Sequence, residues 1–313
     1  MSSRKRRTLY TTMASSLLIL SGCGGSGSGL DGTETGFVTI AISDGPVHDA
    51  EKVCITFDSV ELKPAGNGRS FTIDLDPSEK INLLDFQGAN AAPILEREEV
   101  PAGAYEWVRL GVDANKGSNG GAGDTGGAEC DGEASYIVMD DESVHNLFVP
   151  SGNQTGLKLV AGFVVPVNGS IDATADWDLM QSVTAPPGLD PDVILKPTIR
   201  LVDNVEVGTL AGLVANDLVN DVGCDPSVYV FNDGVTPNAI TTDADDPEDP
   251  VATAMVNEQM NNDGTTTYHY EIGFLLAGRS YEAAYTCDGE SFEPVDGKPA
   301  DISAQQVTTV DFP

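Results

Sequence analysis

Carboxylates are the most abundant groups in this sequence that could do chemistry. The densest cluster lies in one short segment, and its members are Asp243, Asp245, Asp246, Glu248 and Asp249. Oxygen ligands of this kind suit Ca²⁺, which takes about six to eight of them and tolerates loop geometry. The segment lacks the glycine and glutamate of an EF-hand loop, and acidic residues are spread along the whole chain. Two interpretations stay open: tentative calcium binding at 243–249, with no other cofactor expected, or general surface acidity without a site.

Histidine offers a second kind of chemistry, but the chain has only 3 histidines. Asp44, His48 and Asp49 could form a small site, although a solvated turn is the simpler interpretation. His145 follows an acidic run, and His269 lies between two tyrosines, where the outward face of a strand explains it. The sequence contains neither the zinc spacing His-Glu-x-x-His nor a Gly-x-Ser-x-Gly elbow. We therefore predict no catalytic residues and no enzymatic activity.

Two further motifs have structural explanations. The segment 121–126 matches Gly-x-Gly-x-x-Gly, but it lies among other glycines and opens no apolar helix. We interpret it as a flexible, low-complexity loop. Trp107 and Trp177 could form a platform for a sugar ring, but both fall in strand-like segments. Core packing is the favoured interpretation for both tryptophans.

The N-terminus carries a third candidate for chemistry, a cysteine thiol. A basic start and a short apolar run lead to Leu20-Ser21-Gly22-Cys23, a pattern typical of an export signal. The last four residues resemble the lipobox of bacterial lipoproteins, in which the cysteine is acylated and becomes the first mature residue. The resemblance implies a signal peptide over 1–22, lipidation at Cys23 and attachment to a membrane. Gly24, in place of a retention aspartate, implies an outer-membrane destination, facing the periplasm or the cell surface.

Four other cysteines remain, which is an even number. An oxidising compartment favours their pairing into disulfides. Three pairings are open, and we favour Cys54–Cys130 with Cys224–Cys287 because each bridge then stays within one predicted domain. Metal binding is the competing interpretation, but no Cys-x-x-Cys motif or Cys/His cluster is present.

Short alternating segments separated by turns predict an all-β chain with two tandem β-sandwich domains. Residues 23–36 form a Gly/Ser-rich tether, residues 37–204 the first domain and residues 205–313 the second. One helical turn is expected over Glu79–Phe86. Val100–Tyr105 and Leu275–Tyr281 also form a weak internal echo, since each has an apolar residue, Ala-Gly and then a tyrosine entering a strand.

Several segments over 37–202 resemble a bacterial lipoprotein family known as domain of unknown function 4382. The segments that carry the resemblance are 38–47, 53–62, 81–86, 100–110, 149–159 and 194–201, with a glycine-rich insertion at 115–134. This family implies no catalytic residues. The second domain resembles prealbumin-like or carboxypeptidase-regulatory-like sandwiches, through Gly208-Thr-Leu-Ala-Gly-Leu and Leu-Ala-Gly-x-x-Tyr. Such modules are usually non-catalytic.

Charge excludes one class of partner. The formal net charge is −33, and without the signal segment 12 basic residues remain against 49 acidic ones, a charge of −37. Such a surface repels phosphate backbones, so we exclude nucleic acids. The leading hypothesis is a lipid-anchored, non-enzymatic envelope protein that presents a binding or adhesive surface to an unidentified protein or glycan. The alternatives are a calcium-dependent or hydrolytic enzyme acting on envelope polysaccharide or peptide, and a structural partner of an outer-membrane complex.

Overall fold

The computed structural model describes residues 34–45, 47, 50–115, 117, 119–150, 156–184, 192–195, 198–219, 223–241 and 246–313. The stretch from Glu34 to Pro313 forms one compact unit. It is all-β, with two tandem sandwiches, as the alternating segments predict. The signal segment and Cys23 lie outside the described residues. No described helix is long and apolar enough to cross a membrane.

The first sandwich packs one sheet of four strands against one of nine within the described residues. Its strands are β1 (Thr35–Gly45), β2 (Ala50–Pro64), β3 (Phe71–Asn82), β4 (Ala92–Pro101), β5 (Gly103–Val112), β6 (Tyr136–Met139), β7 (Val144–Phe148), β8 (Leu157–Leu159), β9 (Phe163–Val165), β10 (Ser170–Asp178), β11 (Val183–Thr184), β12 (Asp192–Leu195) and β13 (Ile199–Asp203). The smaller sheet runs β13-β10-β1-β4. The larger runs β11-β12-β7-β6-β2-β5-β8, with β3 on β2 and β9 on β5. A short helix, α1 (Leu179–Ser182), follows β10 directly.

The core of this sandwich follows from alternation along its strands. In β1, Val38, Ile40 and Ile42 are fully buried, because successive side chains of a strand point to opposite faces. β1 pairs with β10 in parallel, with Ile42 opposite Ala175 and Asp44 opposite Trp177. The same apolar cluster takes in β2 and β5 of the facing sheet. The core therefore lies between the sheets, and β1 and β10 end together at one edge of it.

The second sandwich is built from two four-stranded sheets in the described residues. Its elements are β14 (Val207–Val214), α2 (Asn216–Val219), β15 (Ser227–Asn232), β16 (Ala252–Met255), β17 (Asn257–Met260), β18 (Thr266–Leu276), β19 (Arg279–Thr286), β20 (Phe292–Ile302) and β21 (Val307–Thr309). One sheet runs β17-β18-β14-β21 and the other β16-β15-β19-β20. Its core gathers buried side chains such as Leu210, Val230 and Ala283.

Both predicted disulfides are present, Cys54–Cys130 and Cys224–Cys287. The first bridge holds the far end of the glycine-rich insertion. There the Nζ atom of Lys52 lies 2.8 Å from a carboxylate oxygen of Asp124, and both side chains are nearly buried. Lys52 also donates to the carbonyl oxygen of Gly127 at 2.9 Å. The described part of this insertion is thus tied to β2 by contacts that its composition does not predict.

The tyrosine echo corresponds to a shared local structure. The hydroxyl of Tyr105 donates to the carbonyl oxygen of Pro101 at 2.7 Å, and that of Tyr281 donates to Leu276 at 3.3 Å. Both tyrosines are buried. Gly103 and Gly278, which precede them, have φ values of 140° and 73°. Glycine adopts such positive φ without steric cost, so each chain can turn back towards its tyrosine.

Other details differ from the sequence-based expectations. The helical turn expected within 79–86 is a 3₁₀ turn over Leu83–Asp85, because β3 continues to Asn82. The sequence also predicts one strand over 157–165, but this segment divides into β8 and β9. Seven strands are not predicted from the sequence: β4, β7, β10, β11, β16, β17 and β20. Of these strands, β10 is the most important for function, because it forms one wall of an acidic cleft.

Candidate functional site

The most unusual polar group of the described chain is the carboxylate of Asp44, near the end of β1. Alternation from Ile40 and Ile42 carries its side chain towards the protein interior. Asp44 is only 3% exposed. No donor of the described residues reaches either of its oxygens in hydrogen-bond geometry. A buried carboxylate without a partner is costly, and native proteins keep such groups rarely.

Two more aspartates lie beside Asp44 on the neighbouring strand. The parallel register places Asp176 opposite Ser43 and Asp178 opposite Gly45. Asp176 forms an ion pair with Arg200. Asp178 caps α1 by accepting from the backbone N–H of Gln181 at 3.2 Å. It also accepts from the Gln181 side-chain amide at 2.9 Å. Unlike Asp44, both neighbours therefore have partners.

This arrangement changes the acidity of all three carboxyls. Burial raises the pKa of Asp44 well above its usual value, and the charges of Asp178 and Asp176 raise it further, while nearby backbone N–H groups oppose the shift. Burial raises the pKa of Asp178 to about 6, although its bonds from Gln181 lower it in part. Burial also raises the pKa of Asp176 against the lowering effect of Arg200. The site therefore resists holding three negative charges without a compensating cation.

The second sandwich supplies the opposite wall of a cleft with a volume of about 290 Å³. The hydroxyl of Thr253, on β16, lies 3.5 Å from a carboxylate oxygen of Asp178. His269 and Glu271 line the cleft from β18. The Nδ1 atom of His269 is buried and has no hydrogen-bond partner among the described residues. Two unpartnered polar groups, one from each sandwich, thus line one space.

Direct contacts hold the two walls together. The side chain of Glu271 accepts from the backbone N–H of Ala89 at 2.9 Å. The side-chain amide of Gln181 donates to the carbonyl oxygen of Pro250 at 2.8 Å. The hydroxyl of Tyr229 donates to the sulfur of Met180 at 2.8 Å. The cleft is thus a fixed feature of one compact unit and needs no separate closure.

Most of the ionisable side chains that line the cleft are acidic. Its described residues include five carboxylates and no lysine or arginine; the carboxylates are Asp44, Asp85, Asp176, Asp178 and Glu271. Asp85, Asn90 and Asn257 are exposed, so the cleft reaches the protein surface. Like charges around a partly dry space repel anions and attract cations. The cleft is therefore suited to binding a positively charged group.

The structure describes only part of the small site that the sequence suggested. Asp44 lines the cleft, whereas His48 and Asp49 lie outside the described residues. His269 does not have the fully outward position expected of it, because it is half-buried and faces the cleft. His145 lies elsewhere, with its Nε2 atom 3.0 Å from the hydroxyl oxygen of Ser143.

The acidic loop near residue 246 is only partly described. Asp243 and Asp245 lie outside the described residues. Asp249 is buried and accepts from the backbone N–H of Thr241 at 2.9 Å. Asp246 accepts from the backbone N–H of Glu248 at 3.0 Å. Three or more potential metal ligands do not converge anywhere in the described part of the chain. Calcium binding at 243–249 stays a prediction.

The two tryptophans have different environments. Trp177 is buried in the core and donates to the hydroxyl oxygen of Ser182 at 3.0 Å. Trp107 is half-buried on β5, with the charged groups of Arg109 and Lys158 each 4.7 Å from its ring centroid. Core packing therefore describes Trp177, whereas Trp107 contributes to a mixed surface.

Sequence reasoning missed Asp176, Asp178 and Glu271. A signal for the first two exists in β10, where Ile171, Ala173, Ala175 and Trp177 alternate with polar residues. That period of two predicts a strand with one polar face and so places both aspartates on it. The position of Glu271 in the cleft has no comparable signal, because it depends on how the second sandwich docks.

The site and fold are those of a tandem β-sandwich protein with an acidic cleft between its sandwiches. The model of the family described as a domain of unknown function, DUF4382, matches residues 35–197. The chain belongs to this family. The search of curated proteins returns no match.

Solved structures give only distant likenesses. A candidate adhesin from Bacteroides ovatus is 11% identical, with 94% of this chain and 99% of that chain covered and a TM-score of 0.17. The shaft pilin SpaA from Lactobacillus rhamnosus GG is 9% identical, with 89% and 98% covered and a TM-score of 0.19. Likenesses at these TM-scores carry no argument about fold or function.

Proposed function

We propose that this protein is a lipid-anchored binding protein of the bacterial outer membrane, without enzymatic activity. The observation that carries the binding role is Asp44, a buried carboxylate left without a partner in a cleft between two sandwiches. Such a group costs folding free energy unless something pairs with it. Its retention in a surface-connected cleft favours a site that receives a ligand.

The anchor rests on the sequence. Leu20-Ser21-Gly22-Cys23 precedes a Gly/Ser-rich segment, and the compact unit begins at Glu34. Two or three acyl chains on Cys23 would hold the protein firmly, since each buried CH₂ contributes about 0.8 kcal/mol. The Gly/Ser-rich composition suits a tether between the membrane and the sandwiches.

The anchor is tested by labelling cells with an alkyne fatty acid and then fractionating their membranes. We expect the full chain to be labelled and to be found in the outer-membrane fraction. The Cys23→Ala variant should lose the label and leave that fraction, and globomycin should block signal removal from the unchanged chain. A Cys23→Ala protein that remains membrane-bound would contradict the anchor.

A hydrolytic role is the second candidate, and one observation favours it. The pKa of Asp178 is raised to about 6, near the range in which a carboxyl acts as a general acid, and Asp44 lies beside it. Incubation with envelope polysaccharide and peptidoglycan fragments tests this role. Product release that disappears in Asp178→Asn would favour hydrolysis, whereas the binding role predicts unaltered material.

A further inference from the structure

The cleft between the sandwiches has a lining that points to one chemical class of ligand. Its described residues bring five carboxylates and no lysine or arginine. Arg200 lies beside this group but is already paired with Asp176. A ligand must therefore bring its own positive charge.

The number of carboxylate oxygens left without a partner favours an organic cation over a metal ion as the ligand. Of the three neighbouring aspartates, Asp176 and Asp178 have side-chain partners, whereas no side chain of the described residues pairs with Asp44. Calcium needs about six to eight oxygens, and the described residues show no convergent set of metal ligands. A primary ammonium group has three donors and no acceptor. The free oxygens of Asp44 and the Nδ1 atom of His269, in the tautomer protonated at Nε2, provide acceptors of that kind.

The volume of the cleft also limits the size of the ligand. Ligand pockets usually measure about 300–1,000 Å³, and this cleft lies at the lower limit with about 290 Å³. It suits a group as large as one amino-acid side chain and is too small for an oligosaccharide. A slender alkyl chain could extend from the buried aspartate to the exposed rim.

We propose that this cleft binds a protonated primary amine at the end of an alkyl chain, such as a lysine side chain, with the ammonium group paired to Asp44. The inference rests on the proposed binding function and names its ligand class. The ammonium would be held between Asp44 and His269, one from each sandwich. Asp178 and Asp176 would add attraction without being displaced from Gln181 and Arg200.

Calorimetric titration of residues 24–313, which contain the whole compact unit, tests the proposal with defined probes. The first probe is Nα-acetyl-lysine methylamide, whose only charge is its ammonium group. The second is the same compound acetylated at Nε, which keeps the chain and removes the charge. The third is calcium chloride, and sodium chloride at equal ionic strength serves as the baseline.

Two variants remove one negative charge each. Asp44→Asn keeps the size of the side chain but loses the charge in the cleft. Glu258→Gln makes the same change in charge at an exposed position on β17. We expect saturable binding of the lysine probe and none of its Nε-acetyl form. Asp44→Asn should weaken binding about tenfold or more, because a charge-assisted hydrogen bond is lost, while Glu258→Gln should have no effect.

Folding of the variant is monitored separately. Asp44→Asn should melt at the same temperature as the unchanged protein or higher at pH 7, since asparagine keeps the size of the side chain and brings no ionisable group into the buried position. A well-folded Asp44→Asn that binds the probe as tightly as the unchanged protein would overturn the proposal. So would equal binding of the Nε-acetyl form, binding of calcium without the amine, or heats no larger than the salt baseline. Any of these results leaves the lipid anchor standing, because membrane fractionation of Cys23→Ala tests that part independently.

Discussion

Gly273 of the second sandwich lies directly against the backbone of Gly88 in the first. A Cβ atom at position 273 would stand 2.4 Å from the carbonyl oxygen of Gly88 and 2.8 Å from the Cα atom of Ala89. No real Cβ tolerates such distances from backbone atoms. The absence of a side chain thus allows the two sandwiches to approach at a place where both glycines line the acidic cleft.

Gly273→Ala should therefore separate the sandwiches locally and lower the melting temperature. We expect a loss of about 1–3 kcal/mol in the free energy of unfolding, the usual cost of overpacking. Gly127→Ala is the matched control, because its Cβ would meet nothing nearer than 3.8 Å. Calorimetric melting of both variants measures the effect. Equal melting temperatures for the two would show that the approach at Gly273 is not needed.

Asp178 should make the protein less stable as the pH rises. Its pKa is about 6 in the folded protein, above the value of about 3.9 in an unfolded chain. The folded state keeps the proton longer, so this contribution is complete below pH 4 and is lost as the pH rises through about 6. The difference corresponds to about 3 kcal/mol.

Asp178→Asn tests this dependence, because asparagine also caps helices. Melting curves between pH 4 and pH 7 should show a smaller loss of stability in the variant than in the unchanged protein. Some dependence should remain, since the pKa values of Asp44 and Asp176 are raised as well. Parallel curves for the two proteins would refute the assignment.

Lys52→Met should be strongly destabilising. It leaves Asp124 buried without its cation, and removing one partner of a buried pair costs about 3–5 kcal/mol. Lys63→Met is the control, because Lys63 forms a more exposed pair with Glu106 at 3.6 Å, where the cost is about 1 kcal/mol or less. Urea unfolding measures both. The double variant Lys52→Met/Asp124→Leu should recover part of the loss, and a similar cost for both single variants would contradict a buried role.

Removing the hydroxyl of Tyr105 should cost about 0.5–1.5 kcal/mol, the usual contribution of one hydrogen bond. Tyr281→Phe should cost less, because its bond to Leu276 measures 3.3 Å against 2.7 Å for the bond from Tyr105 to Pro101. Unfolding in guanidinium chloride compares the two variants. No loss in Tyr105→Phe would show that the corner depends on ring packing alone.

Sequence patterns predicted much of the local structure because they are local in origin. Short alternating segments separated by turns predicted the all-β class, and the even cysteine set, with one bridge for each domain, led to the two disulfides that the structure contains. Strands such as β20 were missed, since Pro294, Gly297 and Pro299 obscure its alternation. The composition of the glycine-rich insertion predicts a flexible loop and gives no sign of its contact with Lys52, which lies far away in the sequence.

The sequence by itself determined the all-β class, the even set of four cysteines and the overall negative charge, which all follow from composition and short-range periodicity. Only the tertiary structure decided the cleft. Asp44 and Asp178 come together because β1 and β10 are parallel neighbours, although their sequence positions lie far apart. His269 and Glu271 join them only because Gly88 and Gly273 let the sandwiches touch. Close packing between distant segments is a property of the folded backbone, and no local pattern of residues encodes it.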